Sequence, residues 1–349
     1  MSARVPRDRP SRQGSGPPFI SVVVPVRNEE ATVGRVLERL LEQDYPEDRF
    51  EILVCDGRST DGTRRVVAAV AARDTRVRLL DNPGIRSSAG RNVGFRNARG
   101  DYALVIDGHV EIPGRDLLRT VAEIFERTGA ECLGRPQPLI PVPGSRWSES
   151  IALARASWLG HSRSSFIYSD AEGFVPAASV GAAYRREVFE KIGYLDEDFD
   201  ACEDVEFNTR LDEAGMRCYI SPRLTVFYHA RRDLPGLWRQ MFRYGFGRCK
   251  FLLKHPRRLT WEQAALPGFV AWTLSGPAFL LGGLPAAALW AVPVAAYGLL
   301  VLIESTRLAR RHGWWRWPHF AAIFPVIHFG LGTGFLWSLL RRGHLPPPR

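Results

Sequence analysis

Cysteine is scarce in this sequence, and the cysteines that are present do not form pairs. Five occur in 349 residues, an odd number, and no two of them stand in a Cys-x-x-Cys arrangement. Disulfide-rich scaffolds and structural zinc sites need closely spaced cysteine pairs, so neither is predicted. Unpaired cysteines are typical of a reducing compartment.

The sequence also lacks the glycine-rich patterns of two common nucleotide-binding folds. No Gly-x-Gly-x-x-Gly follows the first apolar run, and no Gly-x4-Gly-Lys-Ser/Thr occurs at any position. These glycines cradle phosphates in dinucleotide-binding Rossmann enzymes and in P-loop NTPases. The absence of both patterns disfavours both classes.

An even spread of charge is missing as well. The net charge of +10 divides into +3 for residues 1–18, −6 for residues 19–230 and +13 for residues 231–349. The first segment has no apolar core of the kind that a signal peptide needs. We therefore predict a disordered basic arm over 1–18 and an acidic body that remains in the cytoplasm. An acidic body also argues against nucleic acid as a partner, so no nucleic acid is expected.

No Asp, Glu, Lys or Arg occurs over the 40 residues 264–303. A single bilayer crossing takes about 20 apolar residues, so this stretch fits two, with a turn near Gly282, Gly283 and Pro285. The alternative, buried helices of a soluble domain, does not suit so long an uncharged run.

A third run lacks full charges but contains His319 and His328. The loop before this run carries four arginines. By the positive-inside tendency, we expect that loop to lie in the cytoplasm with the body. We predict a multi-pass protein of the cell membrane with about three crossings; arginines in the tail favour the cytoplasmic side, so a re-entrant last segment is the alternative. The predicted segments are a membrane domain over 263–342, with helices at 264–282, 284–303 and 318–340, and a tail over 343–349.

Residues 231–262 join the body to these runs and carry nine basic and two acidic groups among aromatic residues. Such a composition can bind nucleic acid. Beside membrane segments it is also typical of a helix that lies on anionic headgroups. We predict a basic, aromatic interfacial segment in contact with membrane lipid, with an active-site role open for some of its residues.

Between residues 19 and 230, short apolar runs alternate with amphipathic stretches. The predicted strands are 20–26, 51–55, 77–80 and 102–106, and the predicted helices are 29–43, 61–72 and 87–98. Strands that alternate with helices indicate an α/β fold with a doubly wound, mostly parallel sheet and right-handed crossovers.

Polar clusters follow three of the predicted strands, at residues 25–29, 56–63 and 107–109. Ligands of such a sheet bind beyond the carboxyl ends of its strands. In the third cluster, Asp107 and His109 are separated by one glycine, and a carboxylate with an imidazole suits Mn2+ or Mg2+ whose shell is completed by phosphate oxygens. Ordinary turn chemistry is the alternative for any one cluster.

Together these motifs resemble those of family 2 glycosyltransferases with the GT-A fold, in particular the succinoglycan-type exopolysaccharide glucosyltransferases. The resemblance covers about residues 19–250. The matching segments are ISVVVPVRNEE at 20–30, VCDGRSTDGT at 54–63, Asp107-Gly108-His109 in place of Asp-x-Asp, GAAYRR at 181–186, GYLDE at 193–197, CEDVEF at 202–207, and Gln240-Met241-Phe242-Arg243-Tyr244 in place of Gln-x-x-Arg-Trp.

The resemblance implies a metal-dependent, inverting transfer of a hexose from a nucleotide-sugar donor, expected to be a UDP-sugar. Asp56 would contact the base, in a pocket shaped by residues 25–29, and Arg91 would approach the phosphates. The residues expected to bind the nucleotide-sugar are Pro25, Val26, Arg27, Glu29, Asp56, Arg91 and Asp107.

On the acceptor side, the resemblance implies Asp204 as the catalytic base, with Glu203 beside it. Their alternative is to cap a helix. The expected metal ligands are Asp107 and His109, with His229 as a candidate third. The residues expected to contact the acceptor or the diphosphate are Gln240, Arg243 and Tyr244; for the arginine, a lipid headgroup is the alternative.

The apolar tail is explained if the acceptor is a lipid-linked saccharide, or a polysaccharide, reached at the cytoplasmic face of the membrane during exopolysaccharide or cell-surface glycan synthesis. Two alternatives remain open. One is a polyprenyl-phosphate sugar transferase that charges a bare lipid phosphate. The other is a non-catalytic, membrane-anchored nucleotide-sugar sensor or assembly subunit.

Overall fold

The computed structural model describes residues 16–162 and 165–344. Most of the predicted arm (1–18) and of the predicted tail (343–349) lies outside these residues. Within them, strands and helices alternate through the body in the predicted order.

The first, second and fourth strands are buried along their whole length, as in the first, where all seven residues are buried. In chain order the strands are β1 (Ile20–Val26), β2 (Phe50–Asp56), β3 (Val77–Asp81), β4 (Tyr102–Val105), β5 (Val110–Glu111), β6 (Cys132–Gly134), β7 (Leu139–Ile140), β8 (Gly173–Val175), β9 (Gly181–Arg185), β10 (Cys218–Ile220) and β11 (Phe227–His229).

Helices cover both faces of the sheet. In β1, Val22 and Val24 pack in the same core cluster as the first, second and fourth helices, whereas Val23 packs with the third, sixth and seventh. The α-helices are α1 (Val33–Leu41), α2 (Thr63–Arg73), α3 (Ser87–Asn97), α4 (Leu117–Thr128), α5 (Arg146–Arg155), α6 (Arg186–Ile192), α7 (Glu203–Glu213), α8 (Leu234–Lys254), α9 (Trp261–Leu274), α10 (Gly276–Leu281), α11 (Gly283–His312) and α12 (Trp317–Leu340).

The large sheet has eight strands in the order β3-β2-β1-β4-β9-β6-β10-β8. The first four are parallel, β9 is antiparallel to both of its neighbours, and β8 is antiparallel to β10. All strands except β8 and β9 therefore share one direction, which confirms the predicted mostly parallel α/β sheet. A second sheet, β5-β11-β7, places β11 beside the residues that follow β4.

The last helix lies along α8 at close range because glycines line the contact. A Cβ atom at Gly334 of α12 would collide with the carbonyl oxygen of Phe242, and one at Gly245 of α8 would collide with the carbonyl of Leu331. Helix α8, which lies in the segment predicted as interfacial, is thus packed against α12.

Two helical segments of the described residues, Gly283–His312 and Trp314–Leu340, are long and apolar enough to cross a membrane. The predicted segment 264–282 differs, because it is divided between α9 and α10 at Ser275. Pro277 lacks a backbone N–H and clashes with the preceding turn, so a continuous helix is disfavoured there.

Candidate active site

The loops that follow β1 and β2 are joined by hydrogen bonds between side chains and backbone. The Thr60 N–H donates to Asn28 Oδ1 at 2.8 Å, and the Glu29 N–H donates to Thr63 Oγ1 at 2.7 Å. The residues that follow β1 are held by these bonds to the loop that follows β2. Helix α1 therefore begins at Val33, four residues later than predicted. The polar residues of both motifs therefore hold one edge of the sheet together.

Backbone strain is concentrated at the same edge. Asn28, Arg58 and Ile85 follow β1, β2 and β3, and Cys202 precedes α7; all four have φ between 55° and 66°. Among the described residues, only one other non-glycine residue, Arg342, has a positive φ. Each such residue costs about 1–3 kcal/mol and persists only where its surroundings enforce it, which is common at functional sites.

Asp56 is buried at the carboxyl end of β2, and its charge is already paired. Its carboxylate accepts from Arg64 Nη1 at 2.9 Å and from the Ser59 N–H at 3.3 Å. Arg64 also contacts Asp81, at 2.7 Å, and its side chain is half-exposed. The predicted base-binding carboxylate is thus accompanied by a guanidinium that sequence reasoning missed.

The other predicted donor residues on β1 differ in exposure. Pro25 and Val26 are buried in the sheet, whereas Arg27 is exposed. Gly57 lies close to them, since its N–H donates to the Val26 carbonyl at 2.9 Å and a Cβ there would crowd the carbonyl of Ile85. The buried Val26 therefore lies beneath the loops at this edge of the sheet.

Asp107 lies at the centre of a buried polar network. Its carboxylate accepts from Tyr228 Oη at 2.6 Å and lies 3.5 Å from Arg91 Nη2. Arg135 donates to the Tyr228 hydroxyl at 3.3 Å and to the Val105 carbonyl at 2.7 Å. Although burial disfavours the charged form of Asp107, Arg91 above all and the Tyr228 hydroxyl keep its pKa below the ordinary value.

His109 pairs with a residue predicted for the nucleotide pocket. Its Nδ1 lies 2.9 Å from Glu29 Oε1, and the other carboxylate oxygen of Glu29 is buried without a partner among the described residues. Partial burial opposes protonation of His109, but Glu29 and Asp107 raise its pKa. A Cβ at Gly108 would collide with the Glu29 carboxylate and the Val26 side chain, so any other residue there would displace them.

His229 does not join this pair. Its Nε2 lies 3.1 Å from Glu111 Oε1, while its Nδ1 is buried without a described partner. In the part of the chain that the structure describes, no three His, Cys, Asp or Glu side chains come together to hold a metal ion. The predicted set of three ligands is therefore not assembled, and Asp107 with His109 are the two that lie together.

Arg91 connects this network to the predicted acceptor side. Its Nη1 lies 3.3 Å from Glu203 Oε1 at the start of α7, and its side chain is buried. Burial raises the pKa of Glu203 to about 7, with Arg91 opposing and Asp204 adding to the shift. Asp204 itself is exposed, and its Oδ1 accepts the Val205 N–H at 2.8 Å. The predicted pair thus consists of one buried and one exposed carboxylate.

The predicted residues of α8 lie next to the start of α7. Gln240 Nε2 donates to Tyr244 Oη at 3.2 Å, and the Cys202 thiol donates to the Tyr244 carbonyl at 3.8 Å. Arg243 is exposed, with its Nε 3.6 Å from Asp200 Oδ2. These contacts place the Gln-x-x-Arg-Tyr segment beside the two carboxylates of α7.

Sequence reasoning missed two residues that hold Asp107. Tyr228 lies in β11, and Arg135 follows the short strand β6. Their aid to Asp107 depends on pairing between β5 and β11, which are more than 100 residues apart. The one signal available in the sequence was an arginine, Arg135, directly after a glycine.

The eight-stranded, mostly parallel α/β sheet is consistent with the GT-A fold. The mannosyltransferase PcManGT from Pyrobaculum calidifontis, solved with GDP-Man and Mn2+, superposes with a TM-score of 0.59, covering 93% of this chain and 88% of that chain at 20% identity. At that identity the likeness shows the fold alone.

The chain belongs to glycosyltransferase family 2. Residues 21–193 match the family described as Glycosyl transferase family 2, and residues 112–344 match Glycosyl transferase family group 2. The predicted family and enzyme class are thereby confirmed.

Two relatives match along nearly their whole length. The succinoglycan biosynthesis protein ExoA of Rhizobium meliloti is 31% identical, over 91% of this chain and 94% of the relative. A Methanococcus voltae enzyme, dolichyl N-acetyl-alpha-D-glucosaminyl phosphate 3-beta-D-2,3-diacetamido-2,3-dideoxy-beta-D-glucuronosyltransferase, is 29% identical over 93% of this chain and 98% of the relative.

Proposed function

We propose that this chain is a membrane-anchored, inverting glycosyltransferase that moves a sugar from a nucleotide-diphosphate-sugar, by preference a UDP-sugar, to a lipid-linked saccharide at the cytoplasmic face. The observation that carries the proposal is the buried chain of contacts from Asp107 through Arg91 to Glu203. It joins a candidate metal and diphosphate site to a candidate acceptor site.

On the donor side, Asp107 and His109 would hold a divalent cation, Mn2+ or Mg2+. A carboxylate and an imidazole fit such a cation, whose shell the phosphate oxygens of the donor would complete. Beside His109, the buried Oε2 of Glu29 has no partner among the described residues. When bound, the cation supplies Lewis-acid stabilisation of the leaving diphosphate. Arg91 adds a fixed positive charge beside Asp107, and such preorganised charge acts on the developing phosphate anion.

On the acceptor side, Asp204 would accept the proton of the attacking hydroxyl. The hydroxyl oxygen bonds to the anomeric carbon, the bond from that carbon to the β-phosphate breaks, and the nucleoside diphosphate leaves. Asp204 is exposed toward solvent and lies in the first turn of α7. General-base catalysis of this kind contributes roughly 10²–10⁴-fold.

Membrane anchoring is supported by the surface of α11. Leu281 at the end of α10 is 91% exposed and Leu284 of α11 87%. The further exposed apolar side chains of α11 are Leu289, Val292, Leu299, Leu300, Leu302 and Ile303. Exposed apolar surface of this extent marks a membrane or partner site. The name of the Methanococcus relative describes a saccharide acceptor carried on dolichyl phosphate, which supports a lipid-linked acceptor here.

The experiment is a scan of UDP- and GDP-sugars with the full chain in detergent, with and without Mn2+, measuring donor turnover. Metal-dependent turnover of one donor, lost in Asp204→Asn with nucleotide binding kept, would support the proposal. Asp170→Asn, an exposed carboxylate outside the site, is the matched control. Nucleotide binding without turnover of any donor would favour the sensor alternative, and an acid-labile sugar-phosphate-lipid product would favour transfer to a bare lipid phosphate.

A further inference from the structure

Arg155, the last residue of α5, is a buried cation without a counter-ion. Its side chain is only 8% exposed, and no ion pair joins it to any carboxylate of residues 16–162 and 165–344. Its guanidinium donates to the Tyr168 hydroxyl. A buried charge is costly unless it is paired, so an unpaired one points to an anion that is supplied from outside the chain.

Further cations surround Arg155. Unlike Arg155, the side chains of Arg231, Arg243 and Arg248 are exposed. Desolvation first, and then the positive charges of Arg243 and Arg155, lower the pKa of Arg231. Burial together with Arg155 and Arg248 lowers the pKa of His161 to about 4. We call Arg155, Arg231, Arg243 and Arg248 the cationic cluster; in the described chain its one ion pair is the 3.6 Å contact between Arg243 and Asp200.

A neutral side chain, that of His161, lies beside the cationic cluster. The ring of His161 packs against Tyr168 with centroids 4.8 Å apart, and its Nε2 is buried without a described partner. With a pKa near 4, His161 is neutral at pH 7 and can donate or accept one hydrogen bond there. Buried polar atoms without partners are few in folded proteins, so this one also indicates a missing ligand.

The cationic cluster lies between the candidate acceptor site and the apolar helices. On one side, the segment after α5 is fixed to those helices, because Trp158 Nε1 donates to Glu304 of α11 at 2.5 Å and the Leu159 carbonyl lies 2.9 Å from His328 Nε2 of α12. On the other side, Arg243 is close enough to Glu203 for its positive charge to oppose the rise in the pKa of that carboxyl.

We propose that the cationic cluster is a subsite for the phosphate or diphosphate that joins the acceptor saccharide to its lipid. Guanidinium groups bind phosphate oxygens through paired hydrogen bonds. From this position the saccharide would extend toward Asp204 and the lipid toward α11 and α12. The proposal rests on the proposed function, because it names the acceptor class of that same site.

The test measures binding of geranylgeranyl diphosphate to the full chain in neutral detergent, with excess UDP present to fill the donor site. We expect it to bind at least ten times more tightly than geranylgeraniol. Arg155→Gln and Arg231→Gln should each weaken diphosphate binding by about 10- to 100-fold, and Arg155→Lys should restore part of it. Arg232→Gln, an exposed neighbour outside the cluster, is the matched control and should bind as the wild type does.

Three results would overturn the proposal. The first is equal binding of the diphosphate and the alcohol by the wild type. The second is unchanged binding in Arg231→Gln and in an Arg155→Gln protein that melts at the wild-type temperature. The third is equal competition by inorganic diphosphate or by phosphatidylglycerol, which would assign the cluster to a free anion or a general headgroup.

The proposed function is tested separately on the same preparations, through Mn2+-dependent binding of UDP and GDP without the lipid probe. Failure to bind either nucleotide counts against the proposed function. Normal nucleotide binding together with no preference for the lipid diphosphate counts against the cationic cluster alone.

Discussion

Asp107 depends on a hydroxyl from the distant strand β11. Tyr228 Oη donates to it at 2.6 Å, and hydrogen bonds to charged groups contribute about 1.5–3 kcal/mol. We predict that Tyr228→Phe weakens Mn2+-dependent nucleotide binding by about 10-fold or more, measured by titration of the metal at fixed UDP. Tyr219→Phe removes a surface contact to Glu172 and should change nothing. Equal metal affinity in both variants would contradict this role for Tyr228.

Glu203 makes stability depend on pH. Burial raises its pKa to about 7 from an ordinary 4.5, so between these values the folded protein keeps a proton that the unfolded chain has lost. Stability from this group therefore falls as the pH rises through that window, and the loss is complete above pH 7. Glutamine has no proton to lose.

We therefore predict that the melting temperature of Glu203→Gln, relative to the wild type, rises between pH 5 and pH 8. The measurement is thermal unfolding in detergent at several pH values. Glu187→Gln, an exposed control, should track the wild type at every pH. If the melting temperatures of Glu203→Gln and the wild type differ by the same amount at every pH, burial does not raise the pKa of Glu203.

At the scale of elements, the contact between α8 and α12 depends on missing side chains. We predict that Gly334→Ala lowers the melting temperature by several degrees, because its Cβ would collide with the Phe242 carbonyl and such overpacking costs about 1–3 kcal/mol. Gly268→Ala on α9 meets nothing within 4 Å and should leave the melting temperature unchanged or slightly higher. Equal melting of both variants would show that this contact is loose.

Elements with one strong local pattern were predictable, and those set by tertiary pairing were not. β1 was predicted at its observed bounds because seven consecutive buried residues leave a clear signal. Strands β6 and β10 have three residues each, too few for periodicity, and are defined by their pairing with one another and with β8 and β9. Tyr228 and Arg135 could not be assigned to the Asp107 site for the same reason, because tertiary pairing brings them there. Asp107 and His109 could be, because they are near neighbours in the sequence.

At the scale of the whole molecule, α12 contacts α5 near its start, and the residues just after it contact α8. Near its start, Arg316 Nη2 contacts Glu149 of α5 at 2.8 Å, and His319 Nδ1 lies 3.0 Å from Ser150 Oγ. At its far end, Gly343 lies against Lys250, a residue of α8 whose ammonium donates to the Asp198 carbonyl at 2.9 Å. These contacts favour an arrangement in which both ends of α12 lie on the same side of the membrane.

We propose that α9, α10 and α11 enter the membrane as a hairpin and that α12 is re-entrant, which is the alternative to three full crossings. The C-terminal arginines would then remain on the side of the catalytic domain, in agreement with the positive-inside tendency. This arrangement predicts that a cysteine at His344→Cys reacts with a membrane-impermeant maleimide in the same vesicle orientation as one at Asp170→Cys in the body, whereas Leu284→Cys in the hairpin does not. Reaction of His344→Cys only in the opposite orientation would show that α12 crosses the bilayer.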